Sequence, residues 1–549
     1  MTTPTSTAPA PTSKAPAPTS KAPEWARRRS FAIISHPDAG KTTLTETLLL
    51  SAGAIRLAGQ VRARGESRRT QSDWMKIEQE RGISVSASVM TFEHRALLFN
   101  LLDTPGHEDF SEDTYRTLTA ADSAIMVLDA AKGVEPRTLK LVEVCRLRDI
   151  PIVTFINKMD REALDPVDLL EDIQDKLALD TVPMQWPSGS GNRFKGVLDL
   201  KTKTVVGYQK PGDDRDDTAA SPRWALDGNE VREHLSEEEV AELEEGAEVA
   251  AELCPAFKMQ SFLEGHMTPV FFGSALRGFG VRELLDGLAD IIPGPAAMAA
   301  IKNGQTVELE PGGKEVAGFV FKVQANMDPN HRDRVAFVRL CSGVFKRGMK
   351  LKTEAGKQLT VSSPILFFAQ DREIADEAFA GDVMGVPNHG TLRVGDSLSE
   401  TGKLRFSGIP NFAPEILRRA RLADPLKAKH LKKALESLAE EGVTQLFRPT
   451  LGGDFIVGAV GALQIDVMRE RVAAEYGLEV DFEPAPYDTA RWVTGARDKI
   501  EAFADRHKSA MAEDINGDPV FLAKSAWEVS YSEEKFPDLT FHRAKERSA

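Results

Sequence analysis

The residues best suited to chemistry form a Gly-Lys-Thr segment directly after the apolar run 31–34. A buried strand that turns sharply into a helix here would point backbone N–H groups at the phosphates of a nucleotide. Lys41 would neutralise the β- and γ-phosphates, and the Thr42 hydroxyl would be a ligand of Mg²⁺. The sequence therefore predicts a phosphate-binding loop made by Ser35, His36, Pro37, Asp38, Ala39, Gly40, Lys41, Thr42 and Thr43.

This loop departs from the usual eight-residue pattern at its first position, where Ser35 replaces a glycine. Serine accepts an unusual backbone φ less easily than glycine does. The alternative interpretation is a glycine-containing turn that binds nothing. The segments that follow along the chain therefore have to support the phosphate-binding interpretation.

A second polar segment follows the apolar run 95–102, which we predict to be a strand, and consists of Asp103, Thr104, Pro105, Gly106 and His107. Asp103 would hold a water bound to Mg²⁺, and the Gly106 N–H would contact the γ-phosphate only while that phosphate is present. His107 would orient the attacking water, so the predicted catalytic residues are Lys41, Gly106 and His107. The alternative for His107 is a loop histidine whose ring only packs.

Two further segments have the composition of a guanine site. The first follows the apolar run 150–156 and consists of Asn157, Lys158, Met159 and Asp160. Asp160 would accept hydrogen bonds from N1–H and the exocyclic N2–H of guanine, a pairing that adenine cannot offer. The second follows the apolar run 268–272 and contains Ser274, Ala275 and Leu276. Its backbone would contact guanine O6, although this tripeptide alone carries almost no weight.

One more polar segment, 79–85, lies between the first two. A loop that orders around Mg²⁺ and the γ-phosphate needs a hydroxyl ligand, and Ser84 is the candidate. The predicted metal ligands are therefore Thr42, Ser84 and, through water, Asp103. The alternative is a solvent-exposed polar loop that leads into a strand over 85–92.

Taken together, these segments resemble those of translational GTPases, the family of elongation factors G and Tu. The resemblance rests on the Arg-Gly-Ile-Ser run at 81–84 and the Asp-Thr-Pro-Gly-His run at 103–107, and it extends from about 27 to about 536. Runs 103–118 and 333–343 are most similar to the bacterial branch of the family that acts in translation termination.

This resemblance implies a cytoplasmic, monomeric GTPase that uses GTP, GDP and Mg²⁺ and is stimulated by the ribosome. Its implied work is to remove codon-reading (class I) release factors from the ribosome after the peptide is freed, with no membrane or DNA partner. Two alternatives are another ribosomal GTPase, either translocase-like or protective, and a GTPase subunit of a metabolic enzyme.

Length and composition set further limits. A chain of 549 residues predicts several domains, because single cores rarely grow beyond about 250–300 residues. The three cysteines lack metal-ligand spacing and indicate reduced thiols. No apolar run approaches the roughly 20 residues of a membrane span. The formal net charge of −14 argues against indiscriminate RNA binding, so a ribosome ligand must concentrate its positive charge locally.

The pattern along the chain predicts a tail and three domains. Residues 1–24 are rich in Ala, Pro, Thr and Ser and should be disordered. Residues 25–295 predict an α/β P-loop GTPase domain with a mostly parallel sheet and helices on both faces. An antiparallel β-barrel domain is predicted over 296–402, and a C-terminal α+β domain over 403–549.

A basic cluster stands out within the last predicted domain. We predict a helix over 425–440 with Leu426, Leu431, Leu435 and Leu438 on one side. The basic residues on its other side and just before it are Arg418, Arg419, Arg421, Lys427, Lys429, Lys432 and Lys433. They are candidates for contact with ribosomal RNA phosphates, and an ordinary solvated helix face is the equal alternative.

Overall fold

A computed structural model of the chain describes residues 22–55, 86–208, 221–325, 334–368, 372–408, 410–422 and 424–546. The predicted polar segment at 79–85, including Ser84, lies outside the described residues, as does the predicted tail up to residue 21. The described chain forms three successive parts, whose helices and strands follow.

The first part is built on a seven-stranded sheet with the order β2-β3-β1-β4-β5-β11-β6, and a four-stranded antiparallel sheet, β10-β9-β8-β7, lies beside it. Its strands are β1 Arg28–Ser35, β2 Ser88–His94, β3 Leu97–Asp103, β4 Ser123–Asp129, β5 Ile152–Asn157, β6 Asp180–Pro183, β7 Gln185–Pro187, β8 Gly196–Asp199, β9 Thr204–Gly207, β10 Arg223–Ala225 and β11 Met267–Phe272. Its helices are α1 Lys41–Ser51, α2 Ser111–Leu118, α3 Pro136–Arg146, α4 Pro166–Leu177, α5 Val231–His234, α6 Glu237–Leu253, α7 Met259–Leu263 and α8 Val281–Ile291, with short 3₁₀ turns at Glu24–Arg27, Glu108–Phe110 and Gly191–Arg193.

The large sheet is parallel except for its edge strand β2, which runs antiparallel to β3. Alternate residues of β1 enter two different apolar cores. Phe31 and Ile33 pack with residues of α1 and α8, whereas Ala32 and Ile34 pack with residues of α3 and α4. Because both faces of a parallel sheet are covered in this way, its inner strands are buried and largely apolar. The predicted α/β architecture with helices on both faces is confirmed.

The apolar run 95–102 contains a turn that we did not predict. Arg95 and Ala96 have φ of 48° and 61°, and β3 begins only at Leu97. Two consecutive residues with positive φ form the tight turn whose twist matches that of the flanking antiparallel strands. The prediction of a strand at Arg95 and Ala96 was therefore wrong. The turn was missed because it contains neither Asn nor Gly, the residues that usually indicate it.

The second part is antiparallel, as predicted, and consists of an eight-stranded sheet with a three-stranded and a two-stranded sheet. Its strands are β12 Met298–Lys302, β13 Gln305–Leu309, β14 Ala317–Ala325, β15 Arg334–Ser342, β16 Val344–Lys346, β17 Lys350–Thr353, β18 Gln358–Thr360, β19 Ile365–Phe367, β20 Arg372–Ile374, β21 Glu377–Phe379, β22 Val383–Pro387, β23 Ser397–Ser399 and β24 Leu404–Phe406. A buried apolar cluster that includes Val320, Val338 and Met384 forms its core.

The third part mixes helices and strands, as predicted, around an eight-stranded antiparallel sheet with the order β29-β26-β28-β27-β31-β32-β30-β33. Its strands are β25 Pro410–Phe412, β26 Ile416–Leu422, β27 Gln445–Pro449, β28 Ile456–Ala459, β29 Val480–Pro484, β30 Thr489–Gly495, β31 Met511–Glu513, β32 Pro519–Ala523, β33 Leu539–His542 and β34 Ala544–Glu546. Its helices are α9 Ala428–Glu440, α10 Ala462–Tyr476, α11 Arg497–Arg506 and α12 Ala526–Lys535, and a 3₁₀ turn at Pro425–Lys427 precedes α9.

Helix α9 buries Leu431, Leu435 and Leu438 as predicted, but Leu426 is 92% exposed. The prediction that Leu426 shares the apolar side was wrong. Leu426 lies in the 3₁₀ turn before the helix, where the spacing of side chains differs from that of an α-helix.

Buried ion pairs join the first part to the second. Arg28 contacts Asp382 at 3.2 Å, and Arg339 contacts Asp122 at 2.6 Å. Burial raises the pKa of both Asp122 and Asp382, although the neighbouring arginines act in the opposite direction. Breaking either pair would leave a buried charge without its partner, so these two parts should move as one body.

Candidate nucleotide-binding site

Five parallel strands end at the same edge of the large sheet. The last residues of these strands are Ser35 in β1, Asp103 in β3, Asp129 in β4, Asn157 in β5 and Phe272 in β11. Ligands of open α/β sheets bind outside the carboxyl ends of the strands, where the connecting loops meet. The fold therefore gathers all the predicted segments with described residues at one place.

The phosphate-binding loop connects β1 to α1 with an unusual backbone at two residues. Asp38 and Gly40 both have positive φ, of 64° and 99°. A Cβ atom on residue 40 would lie 2.3 Å from Nδ2 of Asn157, so only glycine fits there. Ser35 instead is the buried last residue of β1 in extended backbone, which serine adopts without strain.

The residues predicted to surround the γ-phosphate are close together. Nζ of Lys41, the first residue of α1, lies 2.6 Å from Oδ1 of Asp103, and both side chains are buried. Thr45 Oγ1 donates to the same oxygen at 3.3 Å. A methyl group on Gly106 would lie 3.9 Å from Cε of Lys41, which places the Gly106 backbone beside the lysine. This end of the site can therefore bind a phosphate chain.

His107 follows in a loop that is anchored to the sheet. The hydroxyl of Thr104 donates to the Ile33 carbonyl at 2.6 Å, which holds the start of the loop against β1. His107 precedes the 3₁₀ turn, and its Nδ1 accepts the backbone N–H of Asp109 at 3.2 Å. The imidazole is 37% exposed. It is therefore accessible to water while one of its ring nitrogens is held by the loop.

Asn157 connects the two ends of the site. Its Nδ2 donates to the Ala39 carbonyl, and its Oδ1 accepts the Ala275 N–H, both at 2.8 Å. A single buried side chain therefore joins the phosphate-binding loop to the Ser-Ala-Leu turn.

The remaining residues of the predicted base site surround Asp160. The hydroxyl of Ser274 donates to Oδ1 of Asp160 at 2.6 Å, and Arg277 Nε lies 3.7 Å from Oδ2. Met159 is buried, and its N–H donates to the Gly273 carbonyl. A carboxylate held in this way can accept two adjacent N–H donors, as guanine offers.

Other predicted residues lie at the edges of the site. His36 contacts Glu135 at 3.4 Å, and Pro105 is buried after Thr104. Pro37, Thr42 and Thr43 are partly buried in the loop or the first turn of α1. Leu276 is exposed, which agrees with a contact made by the backbone of that turn and not by its side chains.

Asp129 contacts Lys158 of the predicted base site, although the sequence pattern did not single it out. Its Oδ2 lies 2.8 Å from Nζ of Lys158, which also donates to the Asp38 carbonyl at 2.6 Å. Burial alone would raise the pKa of Asp129, but hydrogen bonds from Lys158 and the Ala131 N–H hold that pKa below its ordinary value. Asp129 thus braces Lys158, whose φ is 72°. The signal in the sequence was an acidic residue at the end of the apolar run 123–128.

The described residues fit a magnesium ion. Thr42 is the second residue of α1, next to Lys41, and the Asp103 carboxylate is held at the foot of the loop by Lys41 and Thr45. In the described ranges, no group of three or more His, Cys, Asp or Glu side chains gathers to hold a metal. Mg²⁺ at phosphate sites usually takes only one or two protein groups and is otherwise held by phosphates and water, so this donor set is sufficient.

Three family models match successive parts of the chain. Residues 26–294 match the elongation factor Tu GTP binding domain, and residues 315–401 match elongation factor G domain 2. Residues 406–533 match the class II release factor RF3 C-terminal domain. Among the described residues, no helix has the length and apolar character needed to cross a membrane.

Curated relatives are similar over nearly the whole length. Peptide chain release factor 3 of Nitrosomonas europaea is 49% identical over 96% of this chain and 98% of its own, and that of Nitrosomonas eutropha is 48% identical over the same shares. A crystal structure of a protein from Thermus thermophilus superimposes with a TM-score of 0.65 at 26% identity, over 86% of this chain and 71% of the other.

Proposed function

Because the chain belongs to the peptide chain release factor 3 family of translational GTPases, we propose that it removes class I release factors from the ribosome after peptide release. The chain is a GTP-hydrolysing factor of translation termination, and it binds GTP and GDP. The proposal goes further, because it names the protein that the chain displaces. It thereby also names the step of termination at which GTP is used.

The observation that carries this proposal is the match of residues 406–533 to a domain specific to class II release factors. The other two matches, to a GTP binding domain and to elongation factor G domain 2, would suit many translational GTPases. A translocase-like factor, a ribosome-protection factor and a metabolic GTPase subunit are not favoured, because none of them explains this domain together with 49% identity over 96% of the chain.

We assign the predicted site residues to this reaction. The loop 35–43 would bind the phosphates, and Asn157, Lys158, Asp160 and the turn 274–276 would bind guanine. Thr42, Ser84 and, through water, Asp103 would hold Mg²⁺, which supplies charge neutralisation at the β- and γ-phosphates. The convergence of the described residues at one sheet edge supports this assignment.

In this mechanism the residues position and neutralise groups and form no bond to the nucleotide. Lys41 offsets the charge that develops on the phosphates, and the Gly106 N–H contacts the terminal phosphate until it departs. His107 orients the attacking water. When the phosphate leaves, the contact to Gly106 is lost, and the loop 103–107 is free to take a second arrangement.

We also propose that the chain acts as a monomer in the cytoplasm, where terminating ribosomes are found, and divides into domains at 25–295, 296–402 and 403–549. The basic cluster at 418–433 is proposed to contact ribosomal RNA. Lys427, Lys429, Lys432 and Lys433 are all exposed, but Lys432 faces Glu436 at 3.9 Å, as Arg419 and Arg421 face Asp454 and Glu483 at 3.8 and 3.1 Å. Lys427, Lys429 and Lys433 are therefore the more available partners for phosphates.

The experiment that tests the proposal measures departure of a labelled class I release factor from terminated ribosomes. Purified protein with GTP should accelerate departure of the release factor. Protein with GDP alone should not support repeated rounds of release-factor removal. His107→Ala should bind GTP normally but lose ribosome-stimulated turnover. The proposal would be contradicted if the release factor departed at an unchanged rate and ribosomes did not stimulate GTP hydrolysis. That result would favour a metabolic GTPase subunit.

A further inference from the structure

The carboxylate of Asp109 reaches out of the GTP-binding domain and caps a helix of the C-terminal domain. Its Oδ2 accepts the backbone N–H of Leu463, the second residue of α10, at 2.6 Å. The first N–H groups of a helix lack partners within the helix and carry partial positive charge. The residue in the N-cap position, Gly461, has no side chain to satisfy them. Asp109 therefore supplies the cap from another domain.

Residue 461 has to be a glycine because Asp109 occupies the space beside it. A Cβ atom on residue 461 would lie 1.9 Å from Cγ and 2.1 Å from Oδ1 of Asp109. The backbone does not demand glycine, since its φ of −142° is extended and open to any residue. Asp109 and Gly461 are thus matched to one another across the domain interface.

Asp109 also contacts the proposed catalytic histidine. Its backbone N–H donates to Nδ1 of His107, and its Oδ1 lies 3.4 Å from the same ring nitrogen. The imidazole has one aromatic neighbour among the described residues, Phe110, whose ring meets it edge-on at 6.4 Å. The orientation of His107 therefore depends on where Asp109 is held.

Arg137, in the same domain as Asp109, is a candidate second partner for the Asp109 carboxylate. Arg137 in α3 is only 5% exposed, and its Nε and Nη2 have no hydrogen-bond partner among the described residues. Burial lowers the pKa of Arg137, while Tyr115, Glu108 and Asp109 raise it. A buried guanidinium with unsatisfied N–H groups stabilises any carboxylate that moves towards it. Arg137 would therefore attract the Asp109 carboxylate once its cap on α10 is lost.

We infer that Asp109 is a positioning residue for GTP hydrolysis, through which docking of α10 sets the orientation of His107. While the C-terminal domain is docked, Asp109 is held on α10 and keeps the His107 ring in place. When the domain moves away, Asp109 is released towards Arg137 and the ring loses its orientation. The inference rests on the proposed catalytic role of His107.

The test compares variants on the two sides of the interface. Asp109→Ala removes the carboxylate that caps α10. Gly461→Ala lies in the C-terminal domain, away from the nucleotide site, and its added methyl group displaces the same carboxylate. Each should lower kcat of ribosome-stimulated hydrolysis about tenfold, the effect of one charge-assisted hydrogen bond, and leave GDP affinity within about twofold. The double variant should be no slower than Asp109→Ala, because the added methyl group then has room.

Two further variants separate positioning from stability. In Asp109→Ala/Gly461→Ser, serine can cap α10 in the space vacated by the carboxylate, so the melting temperature should recover while hydrolysis stays slow. Gly477→Ala destabilises the other end of α10, where φ is 65° and no atom lies within 4 Å of the added Cβ. This matched control should lower the melting temperature and leave hydrolysis unchanged.

The inference is overturned if Gly461→Ala hydrolyses GTP on ribosomes at the wild-type rate, or if serine at 461 restores hydrolysis together with stability. Equal slowing by Gly477→Ala would also overturn it, because the effect would then be one of helix stability. Failure of the proposed function gives a different result, since the wild-type chain itself would show no stimulation by ribosomes.

Discussion

Asn157 and Ala39 are joined by a 2.8 Å hydrogen bond from the asparagine amide to the alanine carbonyl. The same amide group accepts the N–H of Ala275, 118 residues further along the chain. The proposed phosphate loop and the proposed base turn therefore share one buried side chain. Binding of the two ends of the nucleotide should be coupled through it.

Asn157→Ala should weaken binding of GDP and GTP together. Both hydrogen bonds are lost, and the Ala39 carbonyl and Ala275 N–H are left without that partner in a buried place, so we expect affinity to fall about tenfold to a hundredfold. Titration calorimetry with each nucleotide measures this. Asn229→Ala, in an exposed turn, is the control and should bind normally. A loss of GTP affinity alone would contradict the coupling.

Gly106→Ala should distinguish GTP from GDP. The added methyl group lies no closer than 3.9 Å to Lys41, which is an ordinary contact, so folding and GDP affinity should be unchanged. The methyl group would stand beside the N–H that has to approach the γ-phosphate, so affinity for GTP should fall about tenfold. Binding of the two nucleotides to the same preparation measures the effect. Equal affinity losses for both would show that Gly106 is only structural.

Asp103→Asn should remove the dependence of GTP binding on Mg²⁺. The substitution takes away the charge that would hold the metal-bound water, and the salt bridge with Lys41 at 2.6 Å is lost with it. Wild-type affinity for GTP should fall when Mg²⁺ is removed with EDTA, whereas the variant should bind equally weakly with and without the metal. A full Mg²⁺ effect in the variant would exclude Asp103 from the metal site.

Arg137→Met should stabilise the nucleotide-free protein. A buried guanidinium with two unsatisfied nitrogens is unfavourable, and an apolar side chain of similar length removes that penalty, so the free energy of unfolding should rise by about 1–3 kcal/mol. Urea unfolding measures it. Arg497→Met is the control, because Arg497 is exposed and pairs with Glu501 in a surface contact that contributes little. If Arg137→Met destabilised the protein, the Arg137 guanidinium would have to be paired in the nucleotide-free protein.

Lys429→Glu/Lys433→Glu should weaken association with ribosomes. Both lysines are exposed on α9, on the side away from the buried Leu431 and Leu435. If they contact RNA phosphates, affinity for the ribosome should fall. The slope of log affinity against log salt concentration should also become shallower, by roughly one for each lost phosphate contact. Lys201→Glu, in an exposed turn of the GTP-binding domain, is the matched charge control. Unchanged ribosome binding would identify the cluster as an ordinary solvated face.

Local patterns were sufficient to predict the sheet and the neighbourhood of the site. The apolar run 31–34 lies within the buried strand β1, and residues 152–156 of the run 150–156 lie within the buried strand β5. Parallel strands bring their carboxyl ends to one edge, so Lys41, Asp103 and Asn157 lie in the same region. The same patterns did not reveal the turn at Arg95 and Ala96 or the exposure of Leu426, because each depends on a local backbone geometry that its residue types do not signal.

The sequence by itself determined which segments we propose for phosphate, metal and base, because those proposals follow from residue type and order after each strand. Only the tertiary structure decided that Asp109 caps α10, since Asp109 and Leu463 lie 354 residues apart. Gly461 has an ordinary extended backbone, so along the chain it looks like any loop glycine. Glycine is required at position 461 only because the carboxylate of Asp109, from another domain, fills the space beside it. No local sequence pattern encodes how two domains dock.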